Sequence, residues 1–132
     1  MPAEFFDTNV LIYLVSEDSR KFARAQALVA GGGTISVQVL NEIANVLRRK
    51  RTRSWQEVRG FLDTVQELLT VRPVTVQCHQ VGLAVADRHQ LAIYDAMLVS
   101  AALLAGCDRL WSEDMHDGLV INGRLTIENP FA

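Results

Sequence analysis

Four acidic residues lie beside apolar or small-residue segments, where an isolated carboxylate is unusual. They are Asp7, Glu42, Asp95 and Asp114. Removing a carboxylate from water is costly unless it is paired or binds a cation. If the fold brings these four together, we expect a divalent-metal site, and hydrolysis of a phosphodiester is the chemistry typical of such a site.

The apolar residues alternate between the pattern of short strands and that of longer helices. We predict strands at residues 3–6, 34–37, 73–76, 109–112 and 124–127. The first three predicted helices lie at 9–14 with Thr8 as N-cap, at 18–30 ending at Gly31–Gly33, and around Leu40–Leu47. The fourth runs from a capping box at Ser54–Glu57 to Leu69, the fifth follows the strand at 73–76 and ends at about Gln90, and the sixth lies at 94–106. The alternation predicts a single α/β domain over residues 1–132, with a mostly parallel sheet of about five strands covered by helices on both faces.

The predicted topology brings the four acids to one edge of the sheet. Asp7 and Asp114 come just after strands, whereas Glu42 and Asp95 lie in the first turns of helices that leave the same edge. In parallel sheets, ligands bind beyond the carboxyl ends of the strands, where the strand order reverses. We therefore expect the four carboxylates to converge there.

Converging carboxylates need a counter-charge. At about 6 Å separation, each ionised pair repels by on the order of 3 kcal/mol at an effective dielectric constant near 20. Protonation or bound cations must relieve this repulsion, and an all-oxygen site without His or Cys suits Mg²⁺, for which Mn²⁺ can substitute.

Composition excludes several other classes of protein. The net charge of −2 argues against general coating of nucleic acid, and no apolar segment has the roughly 20 residues needed to span a bilayer. We therefore expect a soluble, cytoplasmic protein without a membrane partner. Cys78 and Cys107 lack the spacing of zinc ligands, so we interpret them as reduced core thiols.

One dense cationic run follows Glu42 along the same predicted helix. It consists of Arg48, Arg49, Lys50, Arg51 and Arg53. A solvated helix end would explain these charges, but the run begins about 9 Å beyond Glu42 at 1.5 Å per residue. It can therefore contact the phosphates of a substrate, or carboxylates of an inhibitory partner, without reading bases. Trp55 can stack on a base or pack on its own fold.

Four segments and the C-terminal region resemble a PIN domain, and within that group VapC-type toxin ribonucleases. They are FFDTNVLIYL at 5–14, SVQVLNEI at 36–43, YDAMLVSAAL at 94–103, LWSEDM at 110–115 and the later INGRLTIENPF. The resemblance implies a three-layer α/β/α fold and an endoribonuclease that hydrolyses RNA. It also implies a homodimer and an inhibitory VapB-like antitoxin.

The resemblance also assigns roles to individual residues. Asp7, Glu42, Asp95 and Asp114 would bind Mg²⁺ or Mn²⁺, supported by hydrogen bonds from Thr8 or Asn9 and from Ser112, which replaces the Thr of many relatives. Glu113 and Asp117 are close enough in sequence to compete with Asp114. We prefer Asp114, with Asp117 second.

Two other functions remain open. A haloacid-dehalogenase-type phosphatase or a receiver domain would share the sheet, but both usually need a lysine after a later strand, and the only lysines are Lys21 and Lys50. A non-catalytic interaction module with the PIN fold is the second alternative, and the intact set of acids weighs against it.

Overall fold

The computed structural model describes residues 3–132 as six short strands and six α-helices. The strands are β1 (Glu4–Phe6), β2 (Thr34–Ser36), β3 (Thr70–Arg72), β4 (Arg109–Trp111), β5 (Val120–Ile121) and β6 (Leu125–Glu128). The helices are α1 (Thr8–Ile12), α2 (Ser19–Ala30), α3 (Val37–Arg49), α4 (Trp55–Leu68), α5 (Val76–His89) and α6 (Ile93–Leu104), with a 3₁₀ turn at Tyr13–Val15.

The sheet has the strand order β3-β2-β1-β4-β6-β5. All neighbouring pairs are parallel except β5 with β6. The chain builds outward from β1 through β2 to β3, and then crosses to the other side of β1 to form β4. The strand order therefore reverses between β1 and β4, and a crevice is expected at their carboxyl ends.

The predicted α/β class with a mostly parallel sheet and helices on both faces is confirmed. Two details differ from the prediction. The sheet has six strands instead of about five, because Val120–Ile121 forms a short antiparallel pair with β6. The strand predicted at 73–76 is wrong: it lies at Thr70–Arg72, since Pro73 has no N–H for a sheet hydrogen bond and Thr75 already caps α5.

Local capping signals determine where several helices begin. The capping box of Ser54 and Glu57 is present at α4, and the Asp18 side chain caps α2. The prediction for α1 is wrong: the N-cap is Asp7, not Thr8, because the carboxylate of Asp7 accepts the backbone N–H of Thr8. A predicted site residue thus also starts a helix.

The core contains apolar residues of the central strands and of α6. Phe5, Phe6 and Leu110 are fully buried, and every residue of α6 from Ala96 to Leu103 is buried, as its apolar sequence predicted. Around this core, α5 packs on α6, and α3 packs on α1 and α4.

Three further predictions concern surfaces and thiols. Cys78 and Cys107 are both buried and free, as predicted. On α4, the sequence predicts an apolar stripe for the core or for a partner, formed by Val58, Phe61, Leu62, Val65, Leu68 and Leu69. Five of these residues are buried or pack against the core, whereas Leu68 is 49% exposed, so most of the stripe serves the core. No helix within residues 3–132 has the length and apolarity needed to cross a membrane.

Gly33, between α2 and β2, lies so close to Phe6 that there is no room for a side chain. Its φ of +154° is unfavourable for other residues, and a Cβ there would lie 2.5 Å from a ring carbon of the fully buried Phe6. Its carbonyl also accepts the N–H of Thr70 at 2.9 Å. A side chain at this position would therefore displace the core beside β1.

We expect Gly33→Ala to lower the free energy of unfolding by about 2 kcal/mol or more, through backbone strain and overpacking. Gly60→Ala is the matched control, because a Cβ on this exposed residue within α4 meets no atom within 4 Å. It should raise stability by roughly 0.5–1 kcal/mol. Urea unfolding measures both, and equal effects would contradict the close packing at Gly33.

Candidate active site

A cleft of about 790 Å³ opens at the carboxyl ends of β1 and β4. Its lining contains the four predicted acids together with polar, apolar and cationic residues. They are Asp7, Thr8, Asn9, Ile12, Tyr13, Glu42, Asn45, Val46, Lys50, Arg51, Asp95, Leu98 and Asp114. The structure therefore brings all four acids to one cavity, at the point where the strand order reverses.

Asp7 is the buried acid of this cleft, with 6% of its surface exposed. Its Oδ1 accepts the backbone N–H of Thr8 at 2.6 Å. Its Oδ2 accepts the hydroxyl of Ser112 at 2.7 Å and the amide of Asn9 at 3.2 Å. The backbone N–H of Asp7 donates to the carbonyl of Trp111. These bonds fix the carboxylate between the ends of β1 and β4.

Asn9 and Ser112 connect Asp7 to Asp114. The amide of Asn9 donates to Asp114 Oδ2 at 3.1 Å and to Asp7. The Ser112 hydroxyl donates to Asp7 and accepts the backbone N–H groups of Asp114 and Met115, each at 3.3 Å. These two side chains therefore set the position of the exposed Asp114 carboxylate relative to the buried one.

Thr8 connects the same segment to the acid of α3. Its hydroxyl donates to Glu42 Oε1 at 2.6 Å, and the amide of Gln38 donates to Glu42 Oε2 at 3.2 Å. Gln38 also donates to the backbone carbonyl of Tyr94, the residue before Asp95. Consecutive residues Asp7, Thr8 and Asn9 thus organise carboxylates that come from distant parts of the sequence.

The carboxylates influence each other's protonation. Burial raises the pKa of Asp7 to about 6; hydrogen bonds from Ser112 and Thr8 oppose this rise, and the charges of Glu42 and Asp95 add to it. Burial, followed by the charges of Asp114 and Glu42, raises the pKa of Asp95. Repulsion among these acids is therefore part of the site, and a cation would relieve it.

The donor set fits a hard divalent cation in its chemistry, since carboxylate, amide and hydroxyl oxygens surround the cleft without His or Cys among its lining residues. Within residues 3–132, no three Asp, Glu, His or Cys side chains lie close enough to enclose an ion by direct ligation alone. Mg²⁺ usually takes only one or two carboxylates and keeps several waters. The arrangement therefore suits Mg²⁺ or Mn²⁺ better than an ion that needs a dedicated protein cage.

The two alternative acids near Asp114 have other partners. Glu113 accepts the hydroxyl of Tyr13 at 2.6 Å and forms an ion pair with Lys21 at 2.5 Å. Asp117 accepts the backbone N–H of Asn129 at 2.8 Å. Neither lines the cleft, whereas Asp114 does.

The predicted cationic run is divided by the fold. Lys50 and Arg51 line the cleft, and Arg51 donates to the carbonyl of Val15 at 3.2 Å. Arg48 lies 4.4 Å from the ring centroid of Trp55, which is 55% exposed and so is not packed in the core. The other members lie outside the cleft lining; Arg53 pairs with Glu57, and Arg49 is exposed at the end of α3.

Sequence reasoning missed Tyr13 and Lys21. Tyr13 lines the cleft, and Lys21 donates to its hydroxyl at 3.0 Å. Helical spacing offered a signal for Tyr13, because a residue four positions after Asn9 lies on the same helix face. No pattern predicted Lys21, whose position follows from the packing of α2 on the 3₁₀ turn.

The comparisons with known proteins place this fold in a family. The sequence model described as PIN domain matches residues 5–116, which is most of the chain. The chain belongs to the PIN domain family. No curated protein gave a significant match to the sequence of this PIN domain.

Solved structures share the PIN domain's fold at low sequence identity. A toxin-antitoxin complex from Klebsiella pneumoniae has a TM-score of 0.73 and 20% identity, covering 97% of this chain and 98% of that chain. VapBC2 from Rickettsia felis, bound to a DNA fragment from its promoter, has a TM-score of 0.70 and 18% identity, covering 96% and 98%. VapC20 from Mycobacterium tuberculosis, a sarcin-ricin loop cleaving toxin, has a TM-score of 0.65 and 18% identity, covering 82% and 87%.

Without divalent ions, we expect the wild type to lose stability relative to Asp7→Asn as the pH rises from roughly 4 to 7. The pKa of Asp7 in the folded protein is raised to about 6, so proton binding stabilises the fold below the unfolded-state pKa, and this stabilisation is lost as the pH rises through about 6. This raised pKa corresponds to a loss of about 3 kcal/mol in the free energy of unfolding between the pH at which Asp7 is protonated in both states and the pH at which it is ionised in both states.

Urea unfolding in EDTA at successive pH values measures this difference, with the exposed Asp63→Asn on α4 as the control. The hydrogen bonds altered by Asp7→Asn add an offset that does not depend on pH. A difference between wild type and Asp7→Asn that stays constant from pH 4 to 7 would contradict the raised pKa.

Proposed function

We propose that this PIN domain is a divalent-metal-dependent endoribonuclease and the toxin of a VapBC-type toxin-antitoxin pair. The observation that carries the proposal is the convergence of four carboxylates, those of Asp7, Glu42, Asp95 and Asp114, in the lining of one cleft. Such a group is costly for a fold to maintain without a cation. Phosphodiester hydrolysis is the chemistry that these donors support best.

The proposed reaction divides the work among the residues of the cleft. The four acids, some of them through bound waters, would hold Mg²⁺ or Mn²⁺, which would supply an activated water and stabilise charge on the phosphate. Asp7 would be held in position by its three donors, Thr8 would orient Glu42, and Asn9 would orient Asp114. Precise orientation of metal-binding groups by hydrogen bonds strongly affects metal affinity and activity.

Lys50 and Arg51 would bind RNA phosphates beside the acids. Both line the same cleft, and the bond from Arg51 to Val15 restrains its guanidinium group. Arg48, Arg49 and Arg53 lie outside the cleft lining and would add general attraction for the backbone. Phosphate contacts position a substrate without selecting its sequence, so target choice must depend on other surfaces.

The structural neighbours support the toxin assignment and its RNA substrate. Three with nearly complete coverage are toxin-antitoxin or VapBC complexes, and another is a sarcin-ricin loop cleaving toxin. By that likeness, the partners would be a VapB-like antitoxin and a second copy of this chain in a homodimer. A toxin acting on cellular RNA would work in the cytoplasm.

A non-catalytic PIN module is the competing function. It would need the fold but not the acids, whereas here the side chains of Thr8, Asn9 and Ser112 hold those acids in place. A haloacid-dehalogenase-type phosphatase is not favoured, because Lys50 follows helix α3 instead of a later strand, and Lys21 binds Glu113.

We expect the purified protein to cleave structured RNA with Mg²⁺ or Mn²⁺ and to be inactive in EDTA. Asp95→Asn should lower the cleavage rate by about 100-fold or more. Loss of a group that only supports a metal ligand typically lowers activity about 10–100-fold, and loss of a metal-binding oxygen should lower it further. Asp63→Asn, which removes an exposed acid of α4, should leave the rate unchanged. Absence of metal-dependent cleavage across a panel of structured RNAs would favour the non-catalytic module.

Lys50→Ala should weaken RNA binding and reduce its salt dependence. Each phosphate contact contributes about 0.7 to the slope of log K against log salt for a single strand, so removal of one contact should lower the slope by about that amount. Arg88→Ala, an exposed charge in the last turn of α5, is the control. Binding to a catalytically inactive Asp95→Asn background measures both, and equal slopes would contradict the role of Lys50.

A further inference from the structure

Glu113, next to Asp114, has its carboxylate directed into a separate group of side chains. This group, which we call the Lys21 cluster, consists of Tyr13, Lys21, Glu113 and Phe131. Lys21 and Tyr13 each donate to one carboxylate oxygen of Glu113, at 2.5 and 2.6 Å. Lys21 also donates to the Tyr13 hydroxyl at 3.0 Å, so the three polar groups are mutually bonded.

Packing holds the Lys21 cluster together. The rings of Tyr13 and Phe131 meet edge to face at 4.8 Å, and the Lys21 ammonium lies 4.7 Å from the first ring centroid and 5.4 Å from the second. The side chains of Lys21 and Glu113 are only 23% and 24% exposed. Reduced exposure and several bonds make such a pair more effective than an isolated surface ion pair.

The Lys21 cluster restrains an otherwise irregular segment. Residues 112–119 between β4 and β5 contain no regular structure and carry the exposed Asp114. Before Asp114, the Glu113 side chain is held by the Lys21 cluster and its N–H donates to Asn9 at 3.1 Å. After it, Asp117 is bonded to Asn129. The backbone is therefore fixed on both sides of Asp114.

We propose that Lys21 is a positioning residue for the metal site, acting through Glu113 to hold Asp114 at the cleft. By binding both oxygens of Glu113, the Lys21 cluster also determines which neighbouring acid serves the site. The role extends to Tyr13, which lines the cleft and whose hydroxyl binds Glu113. This inference rests on the proposed metal-dependent function.

The test must separate the position of Asp114 from the charge of Glu113 as the cause of any change in metal binding. Lys21→Met alone would leave the Glu113 charge uncompensated, and that charge would itself attract cations. The double variant Lys21→Met with Glu113→Gln keeps the net charge and removes the ion pair. Its control is Arg109→Met with Glu4→Gln at the opposite end of β4, which removes an ion pair of 3.3 Å and also the 3.6 Å ion pair of Arg109 with Glu128.

We expect the double variant at the Lys21 cluster to raise the Mn²⁺ dissociation constant about tenfold, in the range reported for loss of groups that orient metal ligands. Electron spin resonance of free Mn²⁺ measures this constant. In the cleavage assay, kcat at limiting Mn²⁺ should fall and recover at saturating Mn²⁺, with KM for RNA unchanged. The control pair should bind Mn²⁺ like the wild type.

Tyr13→Phe provides a second variant with little risk to folding, because it removes only the hydroxyl group, which donates to Glu113 and accepts from Lys21. It should raise the Mn²⁺ dissociation constant by less than the double variant does, because Lys21 still binds Glu113, and Lys21→Arg should retain affinity close to that of the wild type. If the wild type binds Mn²⁺ and the double variant and Tyr13→Phe bind it with the same affinity, the proposed role of Lys21 is overturned but the proposed function is not. Failure of the wild type to bind Mn²⁺ would overturn both this role and the proposed function.

Discussion

The buried carboxylate of Asp7 is the constraint on which the rest of the site depends. It lies where the strand order reverses, caps α1, and accepts three hydrogen bonds from Thr8, Asn9 and Ser112. Each donor has a further partner in the cleft or the segment after β4. An acid that is both a helix cap and the centre of this hydrogen-bond network cannot move without disturbing the other carboxylates.

Much of this arrangement could be predicted from the sequence because it follows from topology. Acids placed after strands and at the starts of helices must meet at one edge of a parallel sheet, and Asp7, Glu42, Asp95 and Asp114 do share a cleft there. The family resemblance predicted the same fold, because its motifs contain these four acids. Burial of α6 could also be predicted, since a helix that is apolar all round has no face for water.

The parts that could not be predicted depend on particular tertiary contacts. Thr8 has good capping chemistry, but its hydroxyl donates to Glu42, and Asp7 takes the cap instead. β-Branched residues suggested a strand at 73–76, although the chain pairs with β2 before Pro73. The preference for Asp114 over its neighbour Glu113 rests on the family resemblance. The contacts that separate the two acids come from distant parts of the chain, since Lys21 binds Glu113 and Asn9 binds Asp114. Likewise, the division of the cationic run depends on the path of the chain after α3, which brings Lys50 and Arg51 to the cleft.

The order in which the site is assembled has a consequence for synthesis. Ser112 reaches Asp7 across 105 residues, and β4 also pairs with the later β6. Contacts between such distant segments form slowly, and a chain interrupted before residue 112 lacks both the hydroxyl that binds Asp7 and the carboxylate of Asp114. For the proposed toxin, incomplete products of translation would therefore carry an incomplete acid cluster and would be inactive.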